Sequence, residues 1–100
     1  MSDDELFLAV LRMRIKKRRI ECRLRQEDVA EKANMVLRTY QRFEAYKNKE
    51  FFNPTLRIVI AIAQALDTTV SELTRELTEE DVAALGETDM RRVWNNGKLV

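Results

Sequence analysis

The chain has 100 residues, of which 45% are hydrophobic and 35% charged, with only two glycines and one proline. This length suits one domain with a core of helical-bundle size, and so few turn residues argue against an all-β fold. The formal net charge is +1, yet residues 1–57 hold 14 Lys and Arg against 9 Asp and Glu, whereas residues 58–100 hold 4 against 8. The basic first half of the chain suits a polyanionic partner. The alternative is that the charges of both halves lie on solvated helix faces.

Three further features of the sequence indicate the cellular compartment of the protein. No apolar run approaches the roughly 18 residues of a membrane-spanning helix. The acidic start MSDDE argues against a signal peptide, and the single Cys22 has no partner for an internal disulfide. We therefore expect a cytoplasmic protein that does not span a membrane.

Helix 1 is predicted to begin at the capping-box spacing of Ser2 to Glu5 and to end near residues 21–23. Six of the eight residues at positions 12–19 are Arg or Lys. They lie beside an apolar stripe made of Leu6, Ala9, Val10, Met13, Cys22 and Leu24. A basic helix of this kind also suits a membrane surface or an acidic partner helix, which we treat as the minor alternative.

Two short helices are predicted next, over residues 26–33 and 37–45. Asn34 lies between them, and asparagine tolerates the left-handed conformation that a sharp turn requires, while Met35 can fill the gap beneath the turn. In the second of these helices Tyr40 and Phe43 point inward. The residues expected to project outward are Leu37, Arg38, Thr39, Gln41 and Arg42. Helix, tight turn and helix form the DNA-reading motif.

Helix 4 is predicted to start after the N-cap residue Thr55. Its buried face is expected to consist of Leu56, Val59, Ile60, Ala63 and Leu66, with Ile58, Ala61 and Ala65 on the opposite side. Thr69, with Glu72 three residues later, predicts the start of a short fifth helix that runs to Leu77.

Residues 78–100 are predicted to form a helical or partly irregular extension to a DNA-binding domain at residues 1–77. Thr78 resembles a helix cap, and the acidic residues after it favour either a helix or disorder. The last segment is too apolar for a solvated tail because it contains Met90, Val93, Trp94, Leu99 and Val100. We expect it to dock on the body of the protein or on a second subunit.

Several motifs occur in order: QEDVAEK at 26–32, TYQRFE at 39–44, NPTL at 53–56, AQAL at 63–66 and VSEL at 70–73. Together they resemble the lambda-repressor/Cro (Xre) helix-turn-helix family over about residues 11–74. The resemblance implies an all-α, five-helix DNA-binding domain. It also implies a transcriptional regulator that usually acts as a homodimer on a palindromic operator in double-stranded DNA.

The resemblance assigns DNA contacts residue by residue. Gln26, at the start of helix 2, would hold a phosphate, and Thr39 would contact either bases or backbone. The residues that would face the bases are Leu37, Arg38, Gln41 and Arg42. Both arginines suit guanine and Leu37 suits a thymine methyl group. Lys47 and Lys49, in a loop longer than the family's usual one, are expected to contact flanking phosphates.

Other positions carry structural expectations from the same resemblance. Arg19 and Glu44 match a pair that forms a buried salt bridge in the family. The family often has glycine at positions 23, 34 and 46, where this chain has Arg23, Asn34 and Tyr46. The N-cap positions 25 and 36, usually Ser or Thr, are Arg25 and Val36, which are further DNA-contact candidates. Phe51 and Phe52 are expected at the core edge, in a dimer interface or supporting the loop.

The sequence leaves two alternatives to a DNA-binding repressor. One is a protein-interaction module that keeps the scaffold, and acidic or apolar residues on the outer face of helix 3 would favour it. The other is a toxin-partnered antitoxin, which would bind a protein through the C-terminal extension. An enzyme is disfavoured because the chain has no histidine, no nucleophile-base pair, no metal-ligand spacing and no glycine-rich phosphate loop, so no cofactor is expected.

Overall fold

The computed structural model describes residues 3–45 and 54–85. Helices account for most of these two stretches, and no strand occurs within them. The six helices are α1 (Asp3–Glu21), α2 (Gln26–Lys32), α3 (Leu37–Glu44), α4 (Leu56–Ala65), α5 (Val70–Leu73) and α6 (residues 79–85). The expected all-α fold is confirmed. Helix α5 ends at Leu73, four residues earlier than predicted.

Three turns end helices in the same way. Arg23, Asn34 and Asp67 each adopt a positive φ, of 59°, 57° and 55° respectively. After Asn34, the amide of Met35 donates to the carbonyl of Ala30 at 2.8 Å, which is the long bond of a Schellman turn. Equivalent bonds follow the other two turns. The prediction that Asn34 turns the chain is confirmed, and Met35 packs against the core beneath it.

Side-chain caps define the starts of the later helices. The hydroxyl of Thr55 accepts from the amide of Ile58 at 3.2 Å, and the hydroxyl of Thr69 accepts from the amide of Glu72 at 3.0 Å. Thr78 caps α6 by accepting from the amide of Asp81, whose carboxylate accepts from the amide of Thr78 in return. These three predicted caps are confirmed. Ser2, the predicted cap of α1, lies outside the described residues.

The main core is formed by all of the first five helices. Helix α2 packs on α3 and α4, while α1 packs on α3 and α5. The buried side chains of this core are Leu11, Ile15, Val29, Ala30, Tyr40, Phe43, Ile62, Ala63, Leu66 and Leu73. Leu11 and Ile15 were missed by the predicted stripe of α1 because this helix packs against two clusters rather than one.

The predicted buried face of α4 is partly wrong. Leu56 is 65% exposed and Ile60 39% exposed, whereas Ile62 is fully buried. Ile58 and Ala65, which were expected on the opposite side, pack against the main core. The helix is apolar almost all round, so its sequence pattern does not distinguish the inner face from the outer one.

The arginines of α1 do not form a solvated basic face. Arg18 donates to the carbonyls of Leu66 and Asp67 at 2.9 Å each, and Arg12 donates to the carbonyl of Ala45 at 3.0 Å. These carbonyls lie at the ends of helices, where the backbone lacks intrahelical partners. Much of the positive charge in the first half of the chain therefore serves the fold, which neither reading of the charge pattern anticipated.

Helix α6 docks on α1 through a buried ion pair. Arg14 is only 6% exposed, and its guanidinium donates to the carboxylate of Asp81 at 2.7 Å. The same guanidinium donates to the carbonyls of Leu73, Arg75 and Glu76, at 2.9, 2.8 and 3.1 Å. Leu85 is buried in a second cluster with Ala9 and Val10. Residues 78–85 thus pack on the first helix.

Candidate nucleic-acid interface

Helices α2 and α3 form a compact pair. The chain leaves α2 at Lys32, turns through Asn34 and enters α3 at Leu37. Ala30 is 3% exposed, and the two helices pack directly against one another. A small side chain at this position permits the close approach, so α3 is held on the surface of α2.

The outer face of α3 is centred on two arginines. Successive residues of a helix are about 100° apart, so Arg38 and Arg42 project opposite the buried Tyr40. Both arginines are exposed, and within residues 3–45 and 54–85 neither forms a hydrogen bond or an ion pair. Two flexible cations, four residues apart, therefore face solvent together.

The other predicted contacts of α3 flank this pair. Leu37 and Gln41 lie on the side nearer α2, and Thr39 lies on the opposite side. All three are exposed, with Leu37 at 38%. The five predicted base-facing or flanking residues of α3 are thus brought together on one surface.

The inner side of α3 is anchored by a buried charge network. The guanidinium of Arg19 donates to both oxygens of the Glu44 carboxylate, at 2.7 and 3.0 Å, and also to the carbonyl of Leu24. The hydroxyl of Tyr40 donates to Glu44 as well. The salt bridge implied by the family resemblance is confirmed. It ties α1 to the last turn of α3.

The network sets the charge of Glu44. Burial by itself raises the pKa of this carboxyl, but the hydrogen bonds from Arg19, Tyr40 and Gln26 outweigh burial and hold the pKa below its ordinary value. Burial also raises the pKa of Tyr40, and the neighbouring Glu44 carboxylate raises it further. Glu44 is therefore ionised and Tyr40 neutral at physiological pH. The spacing of four residues between Tyr40 and Glu44 is the sequence signal that points to this hydrogen bond.

Gln26 is held in place between two partners. Its Nε2 donates to Glu44 at 3.1 Å, and its Oε1 accepts from Nε2 of Gln41 at 3.3 Å. A side-chain amide nitrogen carries two hydrogens, so one donor of Gln26 is left for a ligand. Gln41, predicted to face the bases, is thus linked to the residue predicted to hold a phosphate.

The two irregular N-caps differ in their surroundings. The side chain of Arg25 contacts Asp28 at 3.0 Å and Glu27 at 3.1 Å. Hydrogen bonds from Arg25 lower the pKa of Asp28, whose carboxylate also accepts from the backbone amide of Arg25 and so caps α2. Val36 is 69% exposed and provides no side-chain cap for α3. Arg25 therefore stabilises the start of α2, and this role does not depend on DNA.

Several predicted positions fall outside the described residues: Tyr46, Lys47, Lys49, Phe51, Phe52 and the apolar segment from Met90 to Val100. Within the described ranges no group of acidic, cysteine or histidine side chains is arranged to hold a metal ion. None of the helices in those ranges is both long enough and apolar enough to cross a membrane.

Comparison with known proteins identifies the class. A helix-turn-helix family model matches residues 15–73, which span α1 from Ile15 through α5. The chain belongs to this family, the Xre or lambda-repressor-like helix-turn-helix proteins. It is a DNA-binding helix-turn-helix regulator, of a family that is generally non-enzymatic. No curated protein and no solved structure matches the chain significantly.

Proposed function

We propose that this protein is a sequence-specific repressor or autoregulator that binds a palindromic operator as a homodimer. The observation that carries the proposal is that Arg38 and Arg42 are exposed on the outer face of α3 and have no partner among the described residues. A protein-interaction module that keeps the scaffold without binding DNA is expected to have acidic or apolar residues on this face, not two arginines. Glu44, the acidic residue of α3, is buried, so the outer face of that helix carries no carboxylate of its own.

Each arginine can donate two parallel hydrogen bonds to guanine in the major groove. Leu37 lies beside them and offers an apolar surface to a thymine methyl group. Thr39 contacts a base or the backbone from the other flank of α3. Because such bidentate contacts discriminate between bases by about 1–3 kcal/mol, the two arginines dominate specificity.

Backbone contacts complete the interface in this proposal. Gln26 donates its second amide hydrogen to a phosphate, and Gln41 keeps the amide oriented through their mutual hydrogen bond. Lys47 and Lys49, which follow α3 in the sequence, add sequence-independent contacts to flanking phosphates. The protein acts in the cytoplasm, and the C-terminal extension contributes to self-association or binds a protein partner.

A selection from random DNA duplexes, followed by titration at several salt concentrations, tests this function. We expect an enriched motif with two half-sites whose spacing reports the dimer geometry. Arg38→Ala and Arg42→Ala should each relax the base preference at particular positions. Arg75→Ala removes an exposed arginine beside α5 and serves as the matched control. If both variants keep the parental preference, Arg38 and Arg42 do not read bases.

The oligomeric state is tested separately by analytical ultracentrifugation, with and without the selected duplex. A homodimer on the duplex is expected, with two chains per palindrome. A single chain per duplex would contradict the dimer while leaving DNA binding intact.

A further inference from the structure

The two lysines in the basic run of α1 differ from the four arginines around them. The four arginines of the basic run donate to carbonyls or carboxylates of the protein: Arg12, Arg14, Arg18 and Arg19. Only Lys16 and Lys17 are left of the six cations between positions 12 and 19. Within residues 3–45 and 54–85 neither lysine forms a hydrogen bond or an ion pair, so their charges are not used by the fold.

Lys16 lines an open cleft where α1, α2 and α3 meet. The cleft has a volume of about 380 Å³ and is bounded by Lys16, Arg19, Gln26, Gln41, Glu44 and Ala45. Among the described residues of its wall, Glu44 is the only acidic one, and that carboxylate already accepts from Arg19, Tyr40 and Gln26. The half-buried Lys16 therefore brings an uncompensated positive charge to the cleft.

The cleft adjoins the surface proposed to read bases. Gln41 belongs both to its wall and to the flank of the outer face of α3. Gln26, on the same wall, has one amide hydrogen left after its bond to Glu44. A ligand in the cleft would thus meet a cation and a neutral donor beside the recognition helix. These groups suit a phosphate oxygen.

We propose that this cleft receives a backbone phosphate of the bound DNA, and that Lys16 is the side chain that pairs with it. The inference rests on the proposed function, and it extends the DNA interface from the helix-turn-helix to α1. Phosphate contacts fix the orientation of a protein on the duplex without reading sequence. Lys16 is therefore a positioning residue, distinct from Arg38 and Arg42, and it sets how α3 enters the groove.

Lys17 provides a matched control one residue away. The two lysines project about 100° apart on α1. Lys17 lines a different cleft, with Arg18, Glu21, Thr68 and Glu72 on its wall. Both substitutions to alanine remove one positive charge from the same helix, so any general effect of net charge on DNA affinity is common to both variants.

The test measures the affinity of parent, Lys16→Ala and Lys17→Ala for the selected duplex over a range of salt concentrations. One phosphate contact contributes about 0.9 to the slope of log affinity against log salt. We expect Lys16→Ala to lower that slope by about 1 and to weaken binding roughly 5- to 10-fold at 0.1 M salt. Its base preference should stay parental, and Lys17→Ala should retain the parental slope.

Two controls keep the outcomes separable. Urea unfolding checks that each variant is folded. Lys16→Gln keeps most of the side-chain stem but not the charge, so it should lower the slope as much as Lys16→Ala does, whatever alanine does to the packing. A parent protein without salt-sensitive affinity for any duplex would overturn the proposed function itself. Parental slopes in both Lys16 variants, or equal losses in the Lys16 and Lys17 variants, would overturn the Lys16 contact alone.

Discussion

At the scale of single residues, the turn after α1 is notable because an arginine occupies a conformation that favours glycine. Arg23 has a φ of 59° and its side chain is exposed, with no partner within the described part of the chain. Left-handed geometry costs a residue with a Cβ about 1–2 kcal/mol, and asparagine tolerates it better than most. Asn34 at the next turn is therefore the better-adapted residue of the two.

Arg23→Gly should consequently stabilise the protein. Relief of the left-handed strain exceeds the extra chain entropy that glycine loses on folding, and we expect a net gain of about 0.5–1 kcal/mol. Asn34→Gly, at the same φ, should give a smaller gain. Urea unfolding at neutral pH measures both. A loss of stability in the Arg23 variant would show that its side chain contributes more than its backbone conformation costs.

The carboxylate of Glu44 makes stability depend on pH. Its pKa is lowered in the folded state, so the stabilisation is present above the ordinary glutamate pKa of about 4.3 and is lost as pH falls through the lower folded value. Glu44→Gln leaves Arg19 without a charged partner, and we expect a loss of about 3 kcal/mol at pH 7.

The difference between the Glu44 variant and the parent should therefore shrink below about pH 4. Urea unfolding at pH 7 and at acidic pH measures this difference. Glu31→Gln, at an exposed position of α2, is the control and should differ little from the parent at any pH. A difference between Glu44→Gln and parent that is constant with pH would contradict the ionised state of Glu44.

At the scale of elements, α4 shows where a sequence pattern fails. Seven of its ten residues, Leu56–Ala65, are alanine or β-branched aliphatics, and both candidate faces look apolar. The surrounding helices select the face that contains Ile62, and they leave Leu56 largely exposed. Amphipathic α3 lacks this ambiguity because its outer face is polar.

Matched substitutions in α4 distinguish the two faces. Ile62→Ala removes a fully buried side chain from the main core and should destabilise the protein by about 2–5 kcal/mol. Leu56→Ala, near the exposed start of the same helix, should change the free energy of unfolding by no more than about 0.5 kcal/mol. Equal losses of stability in the two variants would contradict the exposed position of Leu56, which is 65% exposed in the structure.

At the scale of the whole molecule, residues 78–85 contribute to the stability of the helix-turn-helix body. Arg14 is buried, and Asp81 is the only carboxylate that pairs with it in the described residues. A chain that ends at residue 77 should be less stable than one that ends at residue 85, by more than about 2 kcal/mol, because Arg14 loses its counter-ion and Val10 loses Leu85. Chemical unfolding of the two chains measures the difference.

Asp81→Ala in the full chain should reproduce most of that loss, whereas Glu80→Ala, at an exposed position of the same helix, should not. If the chains ending at 77 and 85 unfold alike, the α6 contacts are too weak to stabilise the body. DNA affinity should differ little between these two chains, because α6 packs on α1 rather than on α3.

The sequence by itself determined the helical fold, the turn at Asn34, the caps at Thr55 and Thr69, and the arginine-rich face of α3. Each of these depends on local backbone chemistry or on a strong polar and apolar contrast within a few residues. Only the tertiary structure decided which face of α4 is buried, that the arginines of α1 bind carbonyls, and that Lys16 shares a cleft with Gln26. Those facts depend on which elements pack together, and residues distant in the chain supply the partners.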